Sequence, residues 1–204
     1  MKSYKKLLSH NKNWAKEKVE KDPEYFTRLV DTQTPEFLYI GCSDSRVPSN
    51  EITGTEPGEL FVHRNVANLV VPDDLNMLSV LQYAVEVLKV KHVIVCGHYG
   101  CGGIRAAMAE QDFGIIDLWL KNIKNVYHYH KKELENLHNE DQCLNRLTEL
   151  NIQEQVMNLA RTSIIQNAWK TDNRPDLHGW VYDLHDGVIK PLLEVPAGTV
   201  INNL

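Results

Sequence analysis

The stretch "EFLYIGCSDSR", residues 36–46, joins a short apolar run to a polar one. An apolar run of this length predicts a buried β-strand. Cys42, Asp44 and Arg46 follow at alternate positions, so on an extended backbone their side chains would share one face. A thiol, a carboxylate and a guanidinium make a poor core. Their spacing therefore indicates a functional site where the strand ends.

Two further apolar runs predict strands, "GELFVHRNV" at 58–66 and "KHVIVCGH" at 91–98, with a helical pattern at 73–90 between them. Helical patterns fill 114–170, and "HGWVYDLHDGVIKPL" at 178–192 alternates around a hairpin signal at Asp186-Gly187. Alternating strands and helices favour a parallel sheet. The prediction is one α/β domain over 1–204, in which helices flank a mostly parallel central sheet with an antiparallel edge strand.

The first thirty residues predict two polar, lysine-rich helices, the second starting at "DPEYF" with Asp22 as its N-cap. This segment has too few large apolar side chains to form a core of its own. We therefore expect residues 1–34 to be a helical arm that lies on another surface, such as a second subunit.

Composition excludes several classes of protein. The 204 residues are 43% hydrophobic and 24% charged, with a net charge of -5, so no basic surface for nucleic acid is indicated. No stretch approaches the ~20 apolar residues of a membrane span, and the N-terminus does not resemble a signal peptide. A cytoplasmic protein is predicted, in which the four cysteines are ligands or small buried side chains rather than a disulfide framework.

Metal-type residues stand at two strand ends. "CGHYGCGG" at 96–103 adds His98 and Cys101 to Cys42 and Asp44. Zn²⁺ is four-coordinate and accepts thiolate, imidazole and carboxylate, so the set fits zinc better than calcium or magnesium. Each motif by itself is weak, and a single strand-end cysteine is more often a core residue. The pairing of two motifs on adjacent predicted strands favours a metal site.

"CSDSRV" at 42–47, "HYGCGG" at 98–103 and "PGELFVHRNVAN" at 57–68 together resemble the β-class carbonic anhydrases, from about residue 14 to 187. The resemblance implies one zinc per chain, bound by Cys42, Asp44, His98 and Cys101. It also implies a homodimer or homotetramer in which N-terminal helices wrap the neighbouring subunit.

The implied reaction is reversible hydration of carbon dioxide to bicarbonate and a proton by zinc-bound hydroxide. Four protein ligands would close such a site, and Arg46 offers a solution because a guanidinium can hold Asp44 away from the metal in a bidentate pair. Asp44 is thus expected to alternate between zinc and Arg46. Backbone N–H groups of Gly102 and Gly103 are candidates for binding bicarbonate.

The sequence also resembles the bacterial, bicarbonate-regulated subgroup, in which a second bicarbonate acts allosterically. The matching positions are Tyr39, Arg64 and Tyr182, although a tryptophan is usual at position 39. The alternative is that both tyrosines are packed aromatics and Arg64 pairs with an acidic neighbour.

Two other functions stay open: a carbon disulfide or carbonyl sulfide hydrolase on the same zinc site, and a non-catalytic protein whose fold is stabilised by zinc. Arg46 argues against the non-catalytic protein, because a purely structural zinc site does not need a residue that holds Asp44 away from the metal.

Overall fold

The computed structural model describes residues 2–201, in two compact units that divide between Thr34 and Pro35. In the first unit, helix α1 (Ser3–Lys21) buries none of its side chains, and a single 3₁₀ turn follows at Thr27–Leu29.

The second helix predicted for this unit is wrong. The Asp22 carboxylate does accept a hydrogen bond from the Glu24 N–H, at 3.1 Å, as an N-cap would. However, the chain then turns so that the rings of Tyr25 and Phe26 pack edge-on against Trp14. So short a segment gains little from helix formation, and the aromatic packing decides its path.

The second unit contains a five-stranded sheet in the order β2-β1-β3-β4-β5. The strands are β1 (Phe37–Cys42), β2 (Leu60–Asn65), β3 (His92–His98), β4 (Asp176–Tyr182) and β5 (Ile189–Val195). The first four are parallel, and β5 pairs with β4 in antiparallel orientation at the edge. The predicted fold class is therefore confirmed, including the hairpin, whose Gly187 adopts a φ of +71°.

The helices of this unit are α2 (Ser49–Thr53), α3 (Leu75–Gln82), α4 (Gly102–Met108), α5 (Ile116–Tyr129), α6 (Lys131–Glu135), α7 (Glu140–Arg161) and α8 (Ser163–Asp172), with a π-helical turn at Tyr83–Val87 after α3. Side chains cap three of them: Asp74 before α3, Asn139 before α7 and Thr162 before α8. Across residues 2–201, no helix combines the length and apolar character that crossing a membrane requires.

Helix α7 fixes the part of the sheet that carries the site. Its Ile152, Val156 and Leu159 belong to the same buried core as Val93 and Val95 of β3. A Cβ atom at Gly97 would lie 2.8 Å from Ile152 Cδ1, so only glycine lets α7 approach the end of β3 this closely. Because β1 and β3 are parallel neighbours, their carboxyl ends lie side by side at the same edge of the sheet.

Candidate metal centre

Three potential metal ligands converge where β1 and β3 end. Cys42 is the last residue of β1, His98 is the last of β3, and Cys101 is the N-cap residue of α4. All three are buried, and their ligand atoms lie within 4.8 Å of one another. The two Sγ atoms are 3.9 Å apart. Two thiolates on a tetrahedral zinc, each at about 2.3 Å, would be separated by about 3.8 Å, so the spacing fits zinc.

The imidazole of His98 is set for metal binding by its backbone neighbour. Its Nδ1 lies 2.9 Å from the carbonyl oxygen of Tyr99, which can only accept, so Nδ1 carries the hydrogen and Nε2 presents a lone pair. Nε2 is buried and has no hydrogen-bond partner among the residues that the structure describes. A buried polar atom without a partner is costly, and a metal ion at this point would satisfy it.

The two thiols share one negative charge. The thiol of Cys101 beside Cys42 lowers the pKa of Cys42 against the opposing effect of burial, and the resulting thiolate raises the pKa of Cys101. Burial disfavours the charged form of His98, but the Cys42 thiolate overcomes it and raises the pKa of His98. Because two adjacent thiolates repel each other, a dication between them would hold both in the ionised form that binds metals.

Asp44 is held by Arg46 and does not belong to this cluster. Arg46 Nε donates to Asp44 Oδ1 at 2.9 Å and Arg46 Nη2 donates to Oδ2 at 2.7 Å, which is the bidentate pairing expected from the sequence. This ion pair lowers the pKa of Asp44, which therefore stays ionised. Its Oδ2 nevertheless lies only 3.6 Å from His98 Nε2, at the border of the cluster.

The expected extended backbone beyond Cys42 is wrong. The Ser43 N–H makes a ladder bond to the Asn65 carbonyl at 2.8 Å, and the chain then turns, with the Val47 N–H donating to the Asp44 carbonyl at 3.1 Å. The Arg46 N–H also donates to Asp44 Oδ1, at 3.0 Å. An Asx-type turn, not the alternation of a strand, brings Arg46 onto Asp44.

Tyr39, Arg64 and Tyr182 lie on one face of the sheet, as the strand registers require. Within residues 2–201, Arg64 does not pair with an acidic neighbour: its Nε donates to the Cys42 carbonyl at 2.8 Å and its Nη2 to the Asp44 carbonyl at 2.6 Å. Tyr39 is buried, and its hydroxyl is without a hydrogen-bond partner in the described part of the chain. Tyr182 is half-buried and packs against a small hydrophobic cluster that contains Tyr39.

The two glycines at the start of α4 have different surroundings. A Cβ at Gly102 would meet nothing within 4 Å, whereas a Cβ at Gly103 would lie 2.9 Å from Val66 Cγ1 and 3.1 Å from Ala67 Cβ. Gly102 thus leaves free space next to Cys101. Gly103 permits close packing of α4 on the segment after β2, a role that the sequence did not indicate.

A group around Tyr99 was missed by sequence reasoning. The Tyr99 hydroxyl donates to Glu149 Oε1 at 2.6 Å, and Arg146 Nη1 donates to Glu149 Oε2 at 2.8 Å. Tyr99 and Glu149 are 50 positions apart, so no local pattern links them. Burial and the nearby Glu149 raise the pKa of Tyr99, which keeps its hydroxyl a hydrogen-bond donor.

Comparison with known proteins agrees with this geometry. The family model described as "Carbonic anhydrase" matches residues 37–189. A carbonic anhydrase of Emericella nidulans is 48% identical over 190 residues, which cover 93% of this chain and 83% of the relative.

Solved structures are similarly close. A tetrameric β-carbonic anhydrase of Sordaria macrospora superposes with a TM-score of 0.91 at 38% identity, over 96% of this chain and all of the other. A Coccomyxa β-carbonic anhydrase in complex with acetazolamide gives a TM-score of 0.92 at 38% identity, over 97% of this chain and 90% of the other. The chain therefore belongs to the carbonic anhydrase family, in its β class.

Proposed function

We propose that this chain hydrates carbon dioxide reversibly to bicarbonate and a proton, with one zinc ion held by Cys42, His98 and Cys101. The observation that carries the proposal is the three-donor cluster beside an aspartate that an arginine holds back. Three protein ligands leave a coordination position free, as a catalytic zinc requires. No specific observation favours a carbon disulfide or carbonyl sulfide hydrolase, or a non-catalytic protein whose fold is stabilised by zinc.

When bound, zinc supplies Lewis acidity that brings the pKa of a water ligand from about 15.7 toward ~7. The protein's own residues then control access to that position. While Arg46 holds Asp44, only Cys42, His98 and Cys101 would hold the zinc. Asp44 Oδ2 lies 3.6 Å from His98 Nε2, beside the ligand atoms, where it would serve as a hydrogen-bond acceptor for the nucleophile. Asp44 released from Arg46 would instead occupy the metal and switch the enzyme off.

Bicarbonate is proposed to bind at the start of α4. The free space at Gly102, directly after Cys101, lets an anion approach the backbone N–H closely. Gly103 is proposed to contribute its N–H as well, since its missing side chain keeps α4 close to the segment after β2.

A second bicarbonate is proposed to bind between Tyr39, Arg64 and Tyr182 and to favour the state with Asp44 on the metal. Two features support this. The Tyr39 hydroxyl is a donor without a partner in residues 2–201, and Arg64 holds the carbonyls of Cys42 and Asp44. An anion that draws Arg64 away from these carbonyls would loosen the turn that places Asp44 on Arg46, which is the coupling such regulation needs.

Tyr39→Phe tests this regulatory site, because Arg64→Ala would also remove two contacts to the metal-site turn. We expect the variant to keep its zinc and its activity at low bicarbonate, and to lose the cooperative inhibition proposed for wild type at high bicarbonate. Wild-type enzyme that shows no cooperative loss at pH 8 as bicarbonate rises would contradict the second site.

Residues 1–34 are proposed to pack on a partner subunit in a homodimer or homotetramer. Leu7 and Leu8 of α1 are 72% and 61% exposed within the single chain, and the similar Sordaria macrospora enzyme is described as tetrameric. The single domain over 1–204 and the cytoplasmic location stay predictions of the sequence.

The main test of the proposed function is Arg46→Ala, assayed by stopped-flow carbon dioxide hydration with and without a chelator. We expect full zinc content and loss of most activity, because Asp44 loses the group that holds it away from the metal. Arg105→Ala is the matched control. Arg105 lines the same cavity as Cys101, but in the described part of the chain its side chain makes only ion pairs of 3.7–3.8 Å with exposed carboxylates. Near wild-type turnover of Arg46→Ala would refute the Asp44 switch, and wild-type enzyme without activity would refute the function.

A further inference from the structure

Tyr99 connects the metal cluster to the rest of the protein in three directions. Its carbonyl accepts the hydrogen bond of His98 Nδ1 at 2.9 Å, and its N–H donates to the Tyr182 carbonyl at 3.1 Å. Its hydroxyl reaches across to α7 and donates to Glu149 Oε1 at 2.6 Å. The residue thus lies between two proposed metal ligands, His98 and Cys101, and is anchored to a helix outside the turn.

The acceptor on α7 is itself fixed. Arg146 donates to Glu149 Oε2 at 2.8 Å and, through Nε, to Glu133 Oε1 of α6 at 2.5 Å. The side chain of Glu149 is only 22% exposed, so its position is defined by the protein rather than by solvent. Helix α7 cannot shift easily, because Ile152, one turn further on, packs directly over Gly97 of β3. The hydroxyl of Tyr99 therefore meets a rigid, negatively charged acceptor.

Packing alone does not confine the turn that carries Cys101. A cavity of about 260 Å³ opens beside it, lined by Tyr99, Gly100 and Cys101 on one side and by Leu144 and Thr148 of α7 on the other. Gly100, with a φ of +68°, adds a residue of high conformational freedom to the turn. A turn that borders empty space and contains such a glycine needs a specific contact to fix it.

We propose that the hydrogen bond from Tyr99 to Glu149 positions the turn 98–101 so that His98 Nε2 and Cys101 Sγ face the same point, and thereby strengthens metal binding. Tyr99 acts here as a positioning residue, since the structure gives it no place among the ligand atoms. The inference rests on the proposed zinc site. It implies that Glu149, which lies outside the sequence motifs, increases the affinity for the metal.

The test measures zinc affinity by competition with a chelator of known affinity, alongside thermal unfolding of each zinc-loaded variant. Groups that orient metal ligands typically contribute 10–100-fold to metal affinity. We expect Tyr99→Phe to weaken zinc binding about 10-fold. The cobalt-substituted variant should also show a changed visible spectrum, which a loss of global stability alone would not cause. Tyr83→Phe serves as the control, since Tyr83 is 43% exposed and lies in the π-helical turn after α3.

Two variants of the acceptor separate positioning from a general structural effect. Glu149→Gln keeps an oxygen that can accept the hydrogen bond, so it should bind zinc nearly as well as wild type. Glu149→Ala should match Tyr99→Phe, and the double variant Tyr99→Phe/Glu149→Ala should be no weaker than the weaker single variant, because both remove the same bond. These acceptor variants also give a result if Tyr99→Phe does not fold.

The outcomes are distinct. Zinc affinity of Tyr99→Phe within twofold of wild type, or additive losses in the double variant, would overturn the positioning role while leaving the zinc site intact. A wild-type protein that does not bind zinc at all would instead overturn the proposed function on which the inference rests.

Discussion

Gly103→Ala tests the packing that holds α4, and with it Cys101, against the rest of the site. The added Cβ would lie 2.9 Å from Val66 Cγ1 and 3.1 Å from Ala67 Cβ. Carbon atoms prefer separations of about 3.5–4.0 Å, so one side must move by roughly 0.5 Å or more. The segment after β2 resists this movement, because Asn65 bridges both the N–H and the carbonyl of Leu69 at 2.7 Å.

Overpacking of this kind costs about 1–3 kcal/mol. Alanine in place of glycine within a helix recovers about 0.5–1 kcal/mol. The net loss therefore lies between about 0 and 2.5 kcal/mol, centred near 1 kcal/mol, and for a chain of this size each kcal/mol lowers the melting temperature by about 2–4 °C.

The assay is thermal unfolding of the zinc-loaded protein at one fixed concentration, with Gly102→Ala as the matched control. Because a Cβ at Gly102 would meet nothing within 4 Å, that variant should melt at or slightly above the wild-type temperature. Gly103→Ala should melt a few degrees lower. The reasoning would be refuted if Gly103→Ala were as stable as wild type, or if Gly102→Ala were the less stable variant.

Three further predictions concern other parts of the chain. Burial raises the pKa of Cys96 to about 11, so iodoacetamide at pH 8 should label it more slowly than the half-buried Cys143, and rapid labelling of Cys96 in native protein would contradict this. Burial lowers the pKa of His63, so its contribution to stability is present above about pH 6.5 and is lost as the pH falls through the lowered native pKa. His63→Gln should thus lose less stability than wild type between pH 7.5 and 5.5, and an equal loss would count against a depressed pKa. The double variant Leu7→Glu/Leu8→Glu places charges on the exposed apolar residues of α1 and should reduce the assembly size measured by light scattering. An unchanged size would argue against an arm that packs on a partner subunit.

The sheet was predictable because its signals are local. The apolar run before Cys42 and the one before His98 have strand lengths, and Asp186-Gly187 between two alternating segments is a strong local signal for a hairpin turn. The convergence of Cys42 with His98 and Cys101 followed from one topological rule, that parallel strands end at the same edge.

The parts of the fold that could not be predicted depend on packing and turn contacts, or on elements too short to show a periodic pattern. Tyr25 and Phe26 do not form the predicted helix, because their rings pack edge-on against Trp14. The chain leaves the sheet after Cys42 because Asp44 forms a turn with the backbone of Arg46, a choice that alternation of residue types does not reveal. The short helix α2 has only five residues and no periodicity to detect.

The candidate site likewise contains residues that the sequence could identify and contacts that it could not. The residue types and spacing of the ligands identified them, whereas the link from Tyr99 to Glu149 spans 50 positions and required the fold. The arrangement of Arg64, which binds two carbonyl oxygens instead of a carboxylate, likewise depended on where β1 ends.

X-ray absorption at the zinc edge, on the purified enzyme at pH 8.5, tests the proposed centre most directly. We expect two sulfur ligands at about 2.3 Å, from Cys42 and Cys101, together with nitrogen or oxygen ligands at about 2.0–2.1 Å that include His98. A first shell with no sulfur, with a single sulfur or with four sulfurs would contradict a zinc held by Cys42, His98 and Cys101 with one position left for the reaction.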